Sequence, residues 1–338
     1  MLRSLGLLLL TTLALAACGG NDGPPRAAGP ARTIAAPSPE VNGPRAVGSS
    51  PAGVAVAADA VWVANRGDDS VSALDPSTAR PRGEPIQVGG GPFDVALGEG
   101  AVWVIAGDGT VWRIDPRTRQ ATRLQVRVRE PAGIAAGGGS VWVTSRTPGS
   151  VSRIDPRTGR AVGEPVPTGR GAADVVVGAG SVWVANTAAG TVSRLDAATG
   201  RPAGDPVLVG DEQVLALAFG EGGLWVAKTD TPLADPIELL RLDPDSGEPD
   251  GDPVRIPGAI PVSLAAGAGA VWATDVGNLL PGRPSREPAV IRIDPESSAI
   301  LGEPIPVGAN PTALAAGPDA VWVASGADGT VTRIAPRG

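Results

Sequence analysis

Residues 181–200 read SVWVANTAAGTVSRLDAATG, and residues 140–159 read SVWVTSRTPGSVSRIDPRTG. The same sentence, repeated within one chain, is the first thing to explain. A tryptophan in a short Val-rich run recurs at Trp62, Trp103, Trp142, Trp183, Trp225, Trp272 and Trp322. The spacing stays near forty residues through the first five and lengthens over the last two intervals. Around each tryptophan the parts keep one order. A small-residue run comes first (DVALG at 94–98, DVVVG at 174–178, SLAAG at 263–267), then a Gly-rich turn and the Trp strand. A loop, a third run (SVSRIDP at 150–156), another turn and a fourth short run (PIQVG at 85–89, PIPVG at 304–308) complete the unit.

Four short apolar runs separated by turns in about forty residues make one four-stranded antiparallel sheet. The runs VWVA and DVVV are apolar on both faces, so each sheet must be covered on both sides by a neighbour. Radial stacking around an axis meets that demand without polar end caps. The expected fold is therefore all-β: a seven-bladed β-propeller with four antiparallel strands per blade. The last unit stops after its third run, TVTRIAPRG at 330–338, while an orphan fourth-type run, Arg45-Ala46-Val47-Gly48, precedes the first unit. An N-terminal strand should thus complete the last blade and close the ring, leaving no open edge there.

The strand motif, written here as Trp62-Val63-Ala64-Asn65 and Trp183-Val184-Ala185-Asn186, resembles that of the YVTN-type β-propeller family over residues 43–338. Trp replaces the family's Tyr throughout. The resemblance implies the propeller fold and a binding or surface role, and names no ligand.

The N-terminus reads as an address. MLRSLGLLLLTTLALAAC has a basic start at Arg3 and an apolar run too short to span a bilayer. Its end, Leu15-Ala16-Ala17-Cys18, resembles a bacterial lipobox, which implies a signal peptide over 1–17 and lipid attachment at Cys18, the only cysteine. Residues 18–42, rich in Gly, Pro and Ala, are expected to be a disordered tether, with the propeller at 43–338. The expected location is the bacterial cell envelope, anchored to the membrane by lipid and facing outward from the cytoplasm.

Composition narrows the chemistry. The chain has no histidine, so the commonest general base and metal ligand is missing. Net charge is −7 with both signs interspersed, and the basic stripe that a nucleic-acid binder needs is absent. The repeated Asp-Pro pairs at the ends of third strands read as turn chemistry. The arginines just before those turns (Arg113, Arg153, Arg194, Arg241, Arg292, Arg333) read as links between adjacent blades.

Function is expected where the repeat breaks, on the face carrying the loops after the Trp strands, which should display the variable polar residues Asn65, Arg66, Ser145, Arg146, Asn186, Lys228 and Asp275. There Asp94 and Asp174, with Asn65 and Asn186, form a candidate all-oxygen cation site of calcium type, against the competing reading of solvated acids at a channel mouth. Blades five and six carry longer loops, whose Leu233, Leu279 and Leu280 are ringed by Lys228, Asp230, Asp275, Arg283 and Arg286. An apolar centre with a charged rim suits a protein-binding patch. The leading expectation is a monomeric binding, scaffold or sensor module for an unidentified protein, peptide or envelope ligand. The alternative is a metal-dependent lactonase- or lyase-like propeller enzyme working without a histidine base.

Overall fold

The computed structural model describes residues 31–210, 213–229, 237–256, 263–277 and 286–336. They form a β-propeller of seven blades of four antiparallel strands, ordered from the channel outward as in the chain in blades one to five; the outer strand of blade six is split into Ile300–Leu301 and Ile305–Pro306, and that of blade seven comes from the N-terminal side. Blade four shows the plan: Ala172–Gly178 innermost, the Trp strand Ser181–Asn186, then Thr191–Asp196 and the short outer strand Val207–Leu208. Its first two strands are joined at Ala179-Gly180, both with positive φ (46° and 70°). That is the two-residue hairpin whose twist matches the flanking strands, and it recurs at Glu99-Gly100.

The tryptophans are the wedges between sheets. All seven are no more than 2 % exposed, and each packs on the following blade. Trp142 lies among Val175, Val182, Val184 and Leu195 of blade four, and Trp322 among Val54, Val61 and Leu74 of blade one. The core is therefore a ring of seven inter-sheet clusters, and no blade buries its faces alone.

The third-strand arginines stitch the same gaps. Arg194 lies over the Trp183 ring at 5.0 Å, donates from Nε to Ser181 Oγ at 2.8 Å, and donates from Nη1 to the Asp245 carbonyl of blade five at 2.6 Å. Arg153 and Arg241 likewise reach the Ala198 and Pro295 carbonyls of the next blade. The Asp-Pro aspartates open their turns as expected: Asp155 Oδ1 accepts the Arg157 and Thr158 N–H groups at 2.8 and 3.0 Å.

Closure runs further than the repeat suggests. Glu40–Ala46 is the outer strand of blade seven, paired with Thr330–Ala335 from Glu40↔Ala335 to Ala46↔Thr330. The boundary expected at residue 43 thus moves to the N-terminal side. Thr33–Ile34 pairs in parallel with Ile300–Leu301 of blade six, and the Ala31 N–H donates to the Arg255 carbonyl of blade five. Residues 31–39 are a strap across the outer edges of blades five to seven. They lack hydrophobic periodicity because backbone bonds, rather than a buried apolar face, hold them.

Candidate functional site

The innermost strands set the channel wall. Their register shifts near the start, between Pro92 and Asp94 in blade two and between Ala172 and Val175 in blade four. Such a bulge re-aims one side chain. Here it turns Asp94 and Asp174 toward the neighbouring blade. Asp94 Oδ2 accepts the Ile134 N–H of blade three at 3.0 Å, and Oδ1 accepts its neighbour's N–H, Val95, at 2.8 Å. Asp174 does the same with Leu217 of blade five at 2.7 Å and with Val175 at 2.8 Å. Ser263 Oγ accepts the Leu314 N–H of blade seven at 3.0 Å.

At the equivalent place the receiving blades carry Gly133, Ala216 and Ala313, which have no polar side chain to reach onward in turn. A Cβ on Gly133 would come within 2.8 Å of the Ala173 carbonyl oxygen. Both aspartates are half-buried. Burial, and then the Asp174 charge, push the Asp94 carboxyl up to about 7; burial raises Asp174 to about 6. The four-residue oxygen set expected from the sequence is split. Asn65 Nδ2 donates to Ser72 Oγ at 2.9 Å and Asn186 Nδ2 to Ser193 Oγ at 2.9 Å, inside their own blades. Among the described residues no three His, Cys, Asp or Glu side chains cluster.

The loop face divides at its surface. Arg66 and Arg146 are exposed, but Asn65, Ser145, Asn186, Lys228 and Asp275, expected to be displayed there, are buried. They lie at the strand ends beneath the loops and tie the loop bases. In blade five Glu238 Oε2 meets Lys228 Nζ at 3.0 Å and Oε1 meets Arg255 Nε at 2.7 Å. In blade six Asp275, fully buried, meets Arg286 Nη2 at 2.5 Å and accepts the Gly277 N–H at 3.0 Å. Asp230, Leu233, Leu279, Leu280 and Arg283 lie outside the described residues, as does Cys18.

No family model matches the chain, and no curated protein matches it. The fold is similar to several solved structures. A streptogramin B lyase is 17% identical with a TM-score of 0.71, covering 88% of this chain and 98% of that one. Virginiamycin B lyase from Staphylococcus aureus, solved with quinupristin as a catalytically inactive histidine-to-alanine variant, is 17% identical with a TM-score of 0.72, covering 89% and 100%. The WD40 repeats of RRP9 are 14% identical with a TM-score of 0.68, covering 88% and 100%. Enzymes and repeat modules thus share this architecture, and identities this low speak for fold alone.

Proposed function

We propose that the chain is a lipid-anchored β-propeller of the YVTN type in the bacterial cell envelope, and that its loop face at blades five and six binds a protein, peptide or envelope ligand. The observation that carries this reading is the bracing of those two loop bases. Of the ion pairs among the described residues, those of Glu238 and Asp275 have the least exposed carboxylates, with side chains 14 % and 0 % exposed. Buried ion pairs add little net stability but fix geometry. A fixed base under a long loop reduces the ordering cost of binding. The channel acids support binding over catalysis, because both are engaged in holding neighbouring blades. The inactive lyase variant lacks a histidine, and this chain has none.

The test has two arms. Changing Cys18→Ser should release the protein from the membrane fraction or leave an uncleaved precursor; a cleaved variant retained on the membrane would refute the anchor. Changing Leu279 and Leu280 to Ser should abolish recovery of cross-linked partners without lowering the melting temperature. Lost stability with partners retained would make these leucines core residues instead.

A further inference from the structure

The arginine ladder breaks at blade six. In blades three and four the guanidinium is met twice: Arg153 and Arg194 donate from Nε to Ser140 and Ser181. The turn carboxylates of the following blades, Asp196 and Asp243, held ionised first by hydrogen bonds from Thr199 and Ser246, also feel the Arg153 and Arg194 charges. In blade six both partners are missing. Ala270 stands where Ser140 and Ser181 stand, as alanine or glycine does in every blade but those two, while Ala335 of blade seven alone replaces the turn aspartate that the other six blades carry.

Arg292 is nevertheless 94 % buried, at 6 % exposure. It lies over Trp272 at 5.9 Å and donates from Nη2 to the Pro37 carbonyl of the strap at 3.1 Å. Its buried Nε has no partner, and no carboxylate among the described residues pairs with it. Burial pulls this guanidinium below the usual arginine range. A buried cation without a counter-charge is costly, and an anion would relieve it.

Arg292 also lines a cleft of about 550 Å³ between the strap and the split outer strand of blade six. That volume suits a small organic molecule. The walls are mainly apolar, from Ile34, Pro39, Val41, Leu301 and Ile305, and Val41 is 41 % exposed. One further charge lines it, the exposed Glu303. A carboxylate on the guanidinium meets a single positive charge, while a second negative charge would meet Glu303.

We propose that this cleft binds a small organic acid with one carboxylate and an apolar body, the carboxylate seated on Arg292. The site is independent of the loop face and lies on the outer rim.

The probe is octanoate, titrated calorimetrically into the full chain, with octanol as the uncharged control and suberate as the dicarboxylate of equal length. Octanoate should bind at least ~10-fold more tightly than either control. Arg292→Gln should lower octanoate affinity by at least ~10-fold with the circular dichroism spectrum unchanged. Should that variant fail to fold, the exposed Glu303→Gln decides: it should narrow the gap between suberate and octanoate several-fold. The proposal is overturned if octanol binds as well as octanoate, if Arg292→Gln binds octanoate as wild type does, or if Glu303→Gln leaves the suberate gap unchanged. Binding that appears only after residues 337–338 are removed would assign Arg292 to the chain's own C-terminal carboxylate and would also overturn it.

Discussion

Arg333 Nε donates to the Pro76 carbonyl at 3.0 Å, joining the last blade to the first by the same device that links blades three to six. The ring is therefore closed twice, by this arginine on the turn side and by the Glu40–Ala46 strand at the outer edge. Closure is a property of residues at both ends of the chain, and it can be tested from either.

A chain beginning at residue 47 loses the outer strand of blade seven and bares the edge of Thr330–Ala335. It should melt at least ~10 °C below a chain beginning at residue 31, with a chain beginning at 40 between them. Thermal melts of the three followed by circular dichroism check the order; equal melting temperatures would refute the interlocked ring.

Arg194→Met removes two hydrogen bonds and the stacking on Trp183. The expected cost is about 1–3 kcal/mol. Arg66→Met, at an exposed loop position, should cost within ~0.5 kcal/mol of nothing. Denaturant unfolding of the two variants makes the comparison.

Trp183→Ala should cost about 3–5 kcal/mol, since the indole fills the gap to blade five. Phenylalanine separates packing from hydrogen bonding. Trp103 donates from Nε1 to the Gly98 carbonyl at 3.0 Å, whereas Trp183 Nε1 has no partner. Trp103→Phe should therefore cost about 1 kcal/mol more than Trp183→Phe. Equal costs would show that the indole bond carries no weight in this interface.

Acidity acts on two separate sets of aspartates. Asp94 and Asp174 have folded values raised to about 7 and about 6, so the native state holds their protons more tightly than the unfolded chain does. Their contribution is fully present below about pH 4 and is lost as pH rises through 6 to 7. The turn aspartates Asp115 and Asp155 are lowered, mainly by backbone hydrogen bonds from Thr118 and Thr158. Their contribution is present above about pH 4 and is lost as pH falls below it. The melting temperature should thus decline from pH 5 to pH 8, and Asp94→Asn should flatten that decline. A profile identical to wild type would remove Asp94 from the account.

The blades were legible because the buried wedge recurs in each, and a Trp flanked by valines every forty residues has few other uses. The inter-blade arginines were legible for the same reason. Asp94 and Asp174 could be placed at the channel but not given partners, because an inner-strand bulge decides which backbone N–H each carboxyl meets. Asn65 and Asn186 were misjudged as displayed, since a strand-end amide reads the same whether it faces solvent or a serine of the next strand. The strap at 31–39 left no signal, as its bonds come from backbone groups that every sequence has. Arg292 was readable in principle: Ala335 replaces the turn aspartate that the six other blades carry, a contrast that appears only when the repeats are laid against one another.

The strand that seals the ring, Glu40–Ala46, emerges from the ribosome before the seven blades, and its partner, Thr330–Ala335, emerges after six of them. During synthesis the early strand must wait unpaired until Thr330–Ala335 has been made. Docking of Glu40–Ala46 is then the last step by topology, which makes this seam the natural place for a chaperone to hold the chain and for a protease to test it.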